Sequence, residues 1–164
     1  MKRTTLRALA LAGLLLAGQA AAAPATDPFF YAVPRVWLAK ILPATASAYV
    51  SFGTMSGANN AGARITSLVC TSTDSVNRVI TLSRVRSSTT YILGAFTVLA
   101  NSGTDGTVLP TTVLLPTVLG QKSLDADGNY TLGAEDGDVL EIASLAATIT
   151  AAKEISCEAA GGSF

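Results

Sequence analysis

The chain has 164 residues, enough for one domain with a buried core, and its 11 basic residues balance its 11 acidic ones. Because basic residues are not in excess, this balance argues against a nucleic-acid-binding protein, whose domain should be distinctly basic, and only 13% of the residues are charged at all. Histidine is absent, and this excludes the catalytic triads and the zinc or iron sites that need an imidazole.

Residues 1–23 predict a helical export signal or apolar leader. They open with the basic residues Lys2, Arg3 and Arg7, continue through an apolar run, and end in small residues suited to a signal peptidase. The apolar run is shorter than the roughly 20 residues that span a bilayer, so we expect no membrane attachment once the leader is removed. Removal would leave all 11 acidic residues against 8 of the 11 basic ones, a balance of −3.

Residues 24–46 are rich in proline and aromatic residues, and we interpret them as an extended arm. Aromatic side chains are favoured anchors at protein interfaces. The candidate interface residues are Phe29, Phe30, Tyr31 and Trp37. The alternative is that the arm packs on its own domain.

Residues 47–164 read as strands separated by turns. The runs 63–70 and 76–85 are rich in β-branched residues and flank a polar turn at 71–75, which predicts a hairpin. The run 89–99 follows, and its Gly94 predicts a bulge or bend.

The second half of the chain continues this pattern. Residues 108–119 are apolar but contain Pro110 and Pro116, so they suit an edge strand or a crossover. From 154 to 159, apolar and polar residues alternate with the period of a half-buried strand. About eight strands at spacings of about 8 to 12 residues favour an all-β fold. We predict a single antiparallel β-sandwich, jelly-roll-like or immunoglobulin-like.

The two cysteines, Cys70 and Cys157, are 87 positions apart and are a candidate disulfide. In an oxidising compartment, closing a loop of this length would stabilise the fold by roughly 4 kcal/mol. Both also lie in strand-like runs, so two buried core thiols are the alternative.

Asp125, Asp127 and Asn129 surround Gly128 in an order that resembles the opening of a calcium loop. The glycine comes too early for an EF-hand, and a plain Asp-Gly turn is the favoured interpretation. Glu135, Asp138 and Glu141 could pair as catalytic carboxylates, but they lie among turn glycines and suit a solvated rim. We therefore predict no enzyme activity, no cofactor and no metal.

Charge is distributed unevenly along the chain. Arginines such as Arg78 and Arg84 lie in the first half, whereas most acidic residues lie in the second. If the fold placed the two groups on opposite edges, copies would attract one another head to tail. The alternative is that both groups form ordinary solvated faces.

Several short motifs resemble a group of small tailed-bacteriophage proteins encoded among virion structural genes. They are ITSLVCTSTDSV at 65–76, GTDGT at 103–107, DGN at 127–129, GDVLEI at 137–142, TITAAKEI at 148–155 and GGSF at 161–164. The resemblance implies a compact β-sandwich that attaches to a capsid, neck or tail surface, and it carries no catalytic residue across.

The sequence therefore predicts a non-enzymatic structural or interaction protein, a phage virion accessory with other protein subunits, including copies of itself, as partners. We expect a homo-oligomer located in the virion, without nucleic-acid binding. The leader and the paired cysteines favour an alternative. In that case the chain is a secreted bacterial envelope or matrix module, adhesin-like and exported to the periplasm or the extracellular space.

Overall fold

The computed structural model describes residues 33–45, 47–56, 62–115, 118–120, 122–125 and 127–163. These residues form an all-β structure of two antiparallel sheets, which confirms the predicted fold class at that level. The predicted leader at 1–23, with its helix, and the interface candidates Phe29, Phe30 and Tyr31 lie outside the described residues.

Sheet A contains six strands. They are β1 (Val33–Ile41), β3 (Ala63–Ser72), β6 (Thr111–Thr112), β7 (Ser123–Leu124), β8 (Tyr130–Ala134) and β10 (Ile155–Ser163). The order across the sheet is β1-β10-β3-β8-β7, and the short β6 pairs with the far end of β3. A single 3-10 turn at Pro43–Thr45 follows β1.

Sheet B contains four strands. They are β2 (Val50–Met55), β4 (Arg78–Arg86), β5 (Thr89–Val98) and β9 (Asp138–Ala143). The order across the sheet is β2-β9-β4-β5, so the chain alternates between the sheets as it runs from β1 to β4.

The inward faces of the two sheets share one hydrophobic core, a β-sandwich-like arrangement. Ile65 and Ile155 of sheet A and Leu82 and Ile142 of sheet B are fully buried in it. Residues alternate between faces because successive side chains on a strand point in opposite directions. The predicted alternation at 154–159 is confirmed, since Ile155, Cys157 and Ala159 are buried.

The predicted hairpin is wrong. The runs that predicted it form β3 and β4, which lie in different sheets, because the segment between them crosses from one sheet to the other. Residues 33–41 of the predicted arm form the edge strand β1 of sheet A, in agreement with the alternative that the arm packs on its own domain. Pro34 is compatible with this strand because an edge position does not need its missing N–H group.

The tightest connection joins β4 to β5 through Ser87 and Ser88, which have φ angles of 49° and 63°. Two central residues with positive φ define the type of two-residue turn whose twist matches a hairpin. The register of this hairpin shifts between Leu82 and Ser83, beside Gly94 on β5, in agreement with the predicted bulge.

Candidate interaction surfaces

A disulfide joins Cys70 of β3 to Cys157 of β10, with an S–S distance of 2.01 Å. The two residues are direct partners across the sheet, and both are buried on the core side. The bond therefore links the third strand of the chain to the last one at the centre of sheet A.

One end of the molecule is held by an ionic cluster around Asp138, which is almost fully buried. Its carboxylate accepts hydrogen bonds from Arg86 Nε at 2.8 Å and Arg86 Nη2 at 2.7 Å, and from the backbone N–H of Glu135 at 2.9 Å. These hydrogen bonds, with the Arg86 one largest, hold the pKa of Asp138 below its ordinary value. Arg84 donates from Nη2 to the carbonyl oxygen of Gly133 at 2.9 Å and so ties sheet B to sheet A.

The crossover from β3 to β4 is fixed by a second buried carboxylate, Asp74. It accepts hydrogen bonds from Arg78 Nε at 2.8 Å, from the Thr150 hydroxyl at 2.7 Å and from the Thr150 backbone N–H at 3.1 Å. Burial alone would raise the pKa of Asp74, but the hydrogen bonds from Arg78 and Thr150 outweigh it and leave the pKa well below its ordinary value.

These two clusters bear on the hypothesis of head-to-tail attraction between copies. Arg84 and Arg86 contact Asp138 from the second half of their own chain, because the fold brings β4 beside the start of β9. Arg78 contacts Asp74, an acidic residue of the first half. For these three arginines, the separation of opposite charges on which the hypothesis depends does not hold.

The calcium candidate is organised as a turn. Asp125 Oδ1 accepts the backbone N–H groups of Asp127 at 3.0 Å and of Asn129 at 2.8 Å, and its Oδ2 accepts the Asn129 side-chain amide at 3.3 Å. The hydrogen bond from the Asn129 backbone is the largest cause of the lowered pKa of Asp125. Within the described ranges, no group of three or more acidic or cysteine side chains is arranged as a metal site.

The outer face of sheet B is nearly free of charge. Of the side chains that face away from the core on its four strands, all of which the structure describes, only Glu141 is charged. The others are small or β-branched, and they are Ser51, Thr54, Val79, Thr81, Ser83, Val85, Thr90, Ile92, Ala95, Thr97, Val139 and Ala143. Val79 and Ile92 are 48% and 64% exposed, whereas Ser83 and Ala143 on the central strands are fully buried, so the face is open to its surroundings only in part.

The outer face of sheet A is more mixed. A groove of about 480 Å³ crosses β1, β10 and β3 and is lined by Leu38, Lys40, Val69 and Glu158, among others. Lys40 forms an ion pair with Glu154 at 3.1 Å at one end of this face. Val36 and Leu38 of β1 are 59% and 67% exposed and form an apolar stripe along the sheet edge.

Trp37 was a candidate interface residue, with packing of the arm on its own domain as the alternative, and for this residue the structure agrees with the alternative. Its side chain is only 9% exposed and belongs to the hydrophobic core. The reason is the alternation along β1, in which Trp37, Ala39 and Ile41 face inward. The exposed apolar residues are its neighbours Val36 and Leu38, and the period-two pattern of this segment could have identified them.

Comparison with protein-family models, with curated proteins and with solved structures finds no match for this chain. Across the residues that the structure describes, no helix has the length and apolar character needed to cross a bilayer. The function must therefore be argued from the surfaces themselves.

Proposed function

We propose that this protein is a non-enzymatic structural component of a bacteriophage virion, an accessory that decorates the capsid or joins the neck or tail. The observation that carries the proposal is the outer face of sheet B, on which Glu141 is the one charged side chain among the outward-facing residues of four fully described strands. Depletion of charge distinguishes the centre of a protein interface from ordinary surface. This face would cover, or be covered by, another virion subunit.

The strand order supports the same proposal by analogy of fold. Eight strands run in the order β1-β10-β3-β8 in one sheet and β2-β9-β4-β5 in the other. The pairs β1 with β10, β2 with β9, β3 with β8 and β4 with β5 alternate between the two sheets, as in a two-stranded ribbon that is wrapped around the core. We infer from this order a jelly-roll-like sandwich in preference to an immunoglobulin-like one. Jelly rolls are frequent in viral capsid proteins and in lectins. Fold analogy alone assigns no function, so the low charge of the outer face of sheet B remains the main support.

The first test locates the protein in its source. Particles from the source culture are purified on a density gradient, washed in high salt and analysed by mass spectrometry. We expect peptides of this chain in the particle fraction after the wash, because a contact with few charges depends little on ionic strength. Its absence from the particles would contradict the proposal.

The second test asks whether the outer face of sheet B makes the contact. Thr54→Lys combined with Thr97→Lys adds two charges to exposed positions at opposite ends of this face. The matched control, Thr66→Lys combined with Thr112→Lys, places the same charges at exposed positions of sheet A. We expect the sheet B variant to fold normally but to be lost from particles, and the control to remain. Equal occupancy of the two variants would exclude the sheet B face.

The alternative is a secreted envelope or matrix module, adhesin-like, and the disulfide between Cys70 and Cys157 favours it. Such bonds persist in oxidising compartments and are rare in the cytosol. Cell fractionation with intact-mass measurement separates the two proposals. A chain starting near residue 24 in the periplasm or medium supports the secreted module, whereas a chain recovered with particles supports the virion accessory.

A further inference from the structure

We propose that a second copy of this chain adds to the free edge of β1, so that sheet A continues across a two-fold axis into sheet A of the other copy. The inference rests on the proposed function, because it identifies a second copy as one of the subunits contacted. The contact is made by the edge of sheet A and does not involve the outer face of sheet B.

The direction of the backbone groups on β1 follows from the disulfide pair. The Cα atoms of Cys70 and Cys157 are 4.1 Å apart, a spacing typical of antiparallel partners that do not hydrogen-bond to each other. The N–H and C=O groups of Cys157 therefore point the other way, towards its β1 partner Ala39. The backbone N–H and C=O groups of Ala39 in turn point at β10. Because these groups alternate in direction along a strand, those of Leu38 and Lys40 point at the free edge.

A contact between β3 and β10 supports this assignment. The Thr71 hydroxyl donates to the carbonyl oxygen of Ser156, which places the Ser156 backbone oxygen on the β3 side. Ser156 is the partner of Lys40, so β1 and β10 do not exchange hydrogen bonds at this pair. Extended along β1, the pattern assigns four residues to the free edge, namely Pro34, Val36, Leu38 and Lys40.

No strand among the described residues pairs with this edge of β1. A long edge strand with unpaired N–H and C=O groups is a template for another strand, unless proline, lysine or a bulge protects it. Pro34 and Lys40 lie near the two ends of β1, and its pairing with β10 has no register shift. The middle of the strand carries no such protection, and Val36 and Leu38 expose their apolar side chains there.

Self-complementarity selects a second copy as the occupant. A two-fold axis at Trp37 places Val36 opposite Leu38 of the other copy and Pro34 opposite Lys40 of the other copy. Free-edge residues then face free-edge residues throughout, and about six hydrogen bonds can form because only the proline lacks a donor. The exposed side chains meet as apolar pairs, the type of cross-strand contact that stabilises antiparallel sheets.

Neighbouring registers are less favourable. An axis at Leu38 would place Val36 opposite the charged Lys40, and an axis at Val36 would leave Lys40 without a partner inside the strand. The axis at Trp37 also keeps like charges apart, since Lys40 meets a proline and stays paired with Glu154 of its own chain. Of these three registers, the one with the axis at Trp37 therefore both pairs the free backbone groups and matches apolar side chains with apolar ones.

The test measures the mass of the full chain in solution by sedimentation equilibrium, from about 1 µM to about 500 µM, because small interfaces are weak. We expect the wild type to reach the mass of two chains, and Val36→Lys or Leu38→Lys to raise the dissociation constant by at least about tenfold, because each variant places a charged side chain opposite an apolar one in both cross-strand pairs. The matched control is Leu124→Lys. It changes a leucine that is 59% exposed at the opposite edge of the same sheet and should leave the dissociation constant unchanged.

The register is tested by thiol trapping. A chain carrying Val36→Cys and a chain carrying Leu38→Cys should form a covalent pair under mild oxidation when mixed, and neither should pair efficiently with itself. A wild type that stays monomeric, a dimer that tolerates lysine at both positions, or efficient self-pairing of one cysteine variant would overturn the inference. If the protein is monomeric yet present on particles, this inference fails and the proposed function survives. If it dimerises as described but is absent from particles, the proposed function fails and the edge contact stands.

Discussion

Arg86, the last residue of β4, holds Asp138, the first residue of β9, through two parallel hydrogen bonds of 2.8 and 2.7 Å. This two-pronged geometry is the strongest that an arginine and a carboxylate can adopt. Glu135 joins the same guanidinium through Arg86 Nη1 at 2.7 Å but is largely exposed. The cluster thus combines one buried carboxylate with one carboxylate at the solvent boundary.

Removing the buried carboxylate should therefore cost far more than removing the exposed one. We expect Asp138→Ala to lower the free energy of unfolding by about 3 kcal/mol, because it leaves Arg86 Nε, Arg86 Nη2 and a backbone N–H without their acceptor. Glu135→Gln should cost less than about 1 kcal/mol, as for a surface ion pair. Urea denaturation at pH 7 measures both values, and equal losses would contradict this description of the cluster.

The same carboxylates predict how stability changes in acid. Asp74 and Asp138 have pKa values below the ordinary value in the folded protein, so the unfolded chain takes up protons first as the pH falls through about 4. Their stabilisation is complete above that pH and is lost as the pH falls towards the folded pKa values. Denaturation midpoints between pH 3 and pH 7 should therefore drop steeply at the acid end.

Asp74→Asn should make this acid-side drop shallower, while lowering stability at pH 7, because the titrating group is gone. Thr150→Val should have an intermediate effect, since it removes the 2.7 Å hydrogen bond from the hydroxyl to Asp74 and the 3.1 Å hydrogen bond that the hydroxyl accepts from Arg78 Nη2, but keeps the carboxylate. An Asp74→Asn protein that loses stability in acid as steeply as the wild type would show that Asp74 does not contribute.

The disulfide predicts a large loss of stability in its absence. Cys70→Ala combined with Cys157→Ala should lower the free energy of unfolding by about 4 kcal/mol, because the unfolded chain regains the entropy of a loop of 87 residues. Unfolding is measured with and without a reducing agent. The reducing agent should lower the free energy of unfolding of the wild type to nearly that of the double variant, and it should leave the value for the double variant unchanged. A double variant as stable as the oxidised wild type would contradict the expectation.

Local patterns predicted which residues are buried better than which strands are neighbours. The alternation at 154–159 identified Ile155, Cys157 and Ala159 as core residues because the period of side-chain direction is a local property. The hairpin predicted between β3 and β4 was wrong because a polar turn can serve a crossover between sheets as well as a hairpin. Strand pairing depends on the whole arrangement of the core, and no short window contains that information.

The candidate surfaces show the same contrast between what a local pattern predicts and what depends on distant contacts. The sparse charge of the chain is visible in its composition, but its concentration into buried pairs such as Arg86 with Asp138 depends on contacts between residues 52 positions apart. The low charge of the outer face of sheet B can likewise be recognised only when β2, β9, β4 and β5 are placed side by side. The exposed stripe of Val36 and Leu38 was missed because the prolines around it suggested an arm, although its alternation with Trp37 fits a strand.

The turn between β4 and β5 predicts a stabilising change. Ser87 and Ser88 both have positive φ, which costs a residue with a β-carbon about 1 kcal/mol or more. Asn followed by Gly is the preferred pair for such a turn. Ser87→Asn combined with Ser88→Gly should therefore raise the free energy of unfolding by about 1 kcal/mol. The control is Gly137→Ala, at a φ of 81° in the turn before β9, which should lower it by a similar amount because alanine is strained at positive φ. Thermal or urea unfolding of both variants measures the two effects, and a destabilised Asn-Gly variant would show that this turn does not have the assigned geometry.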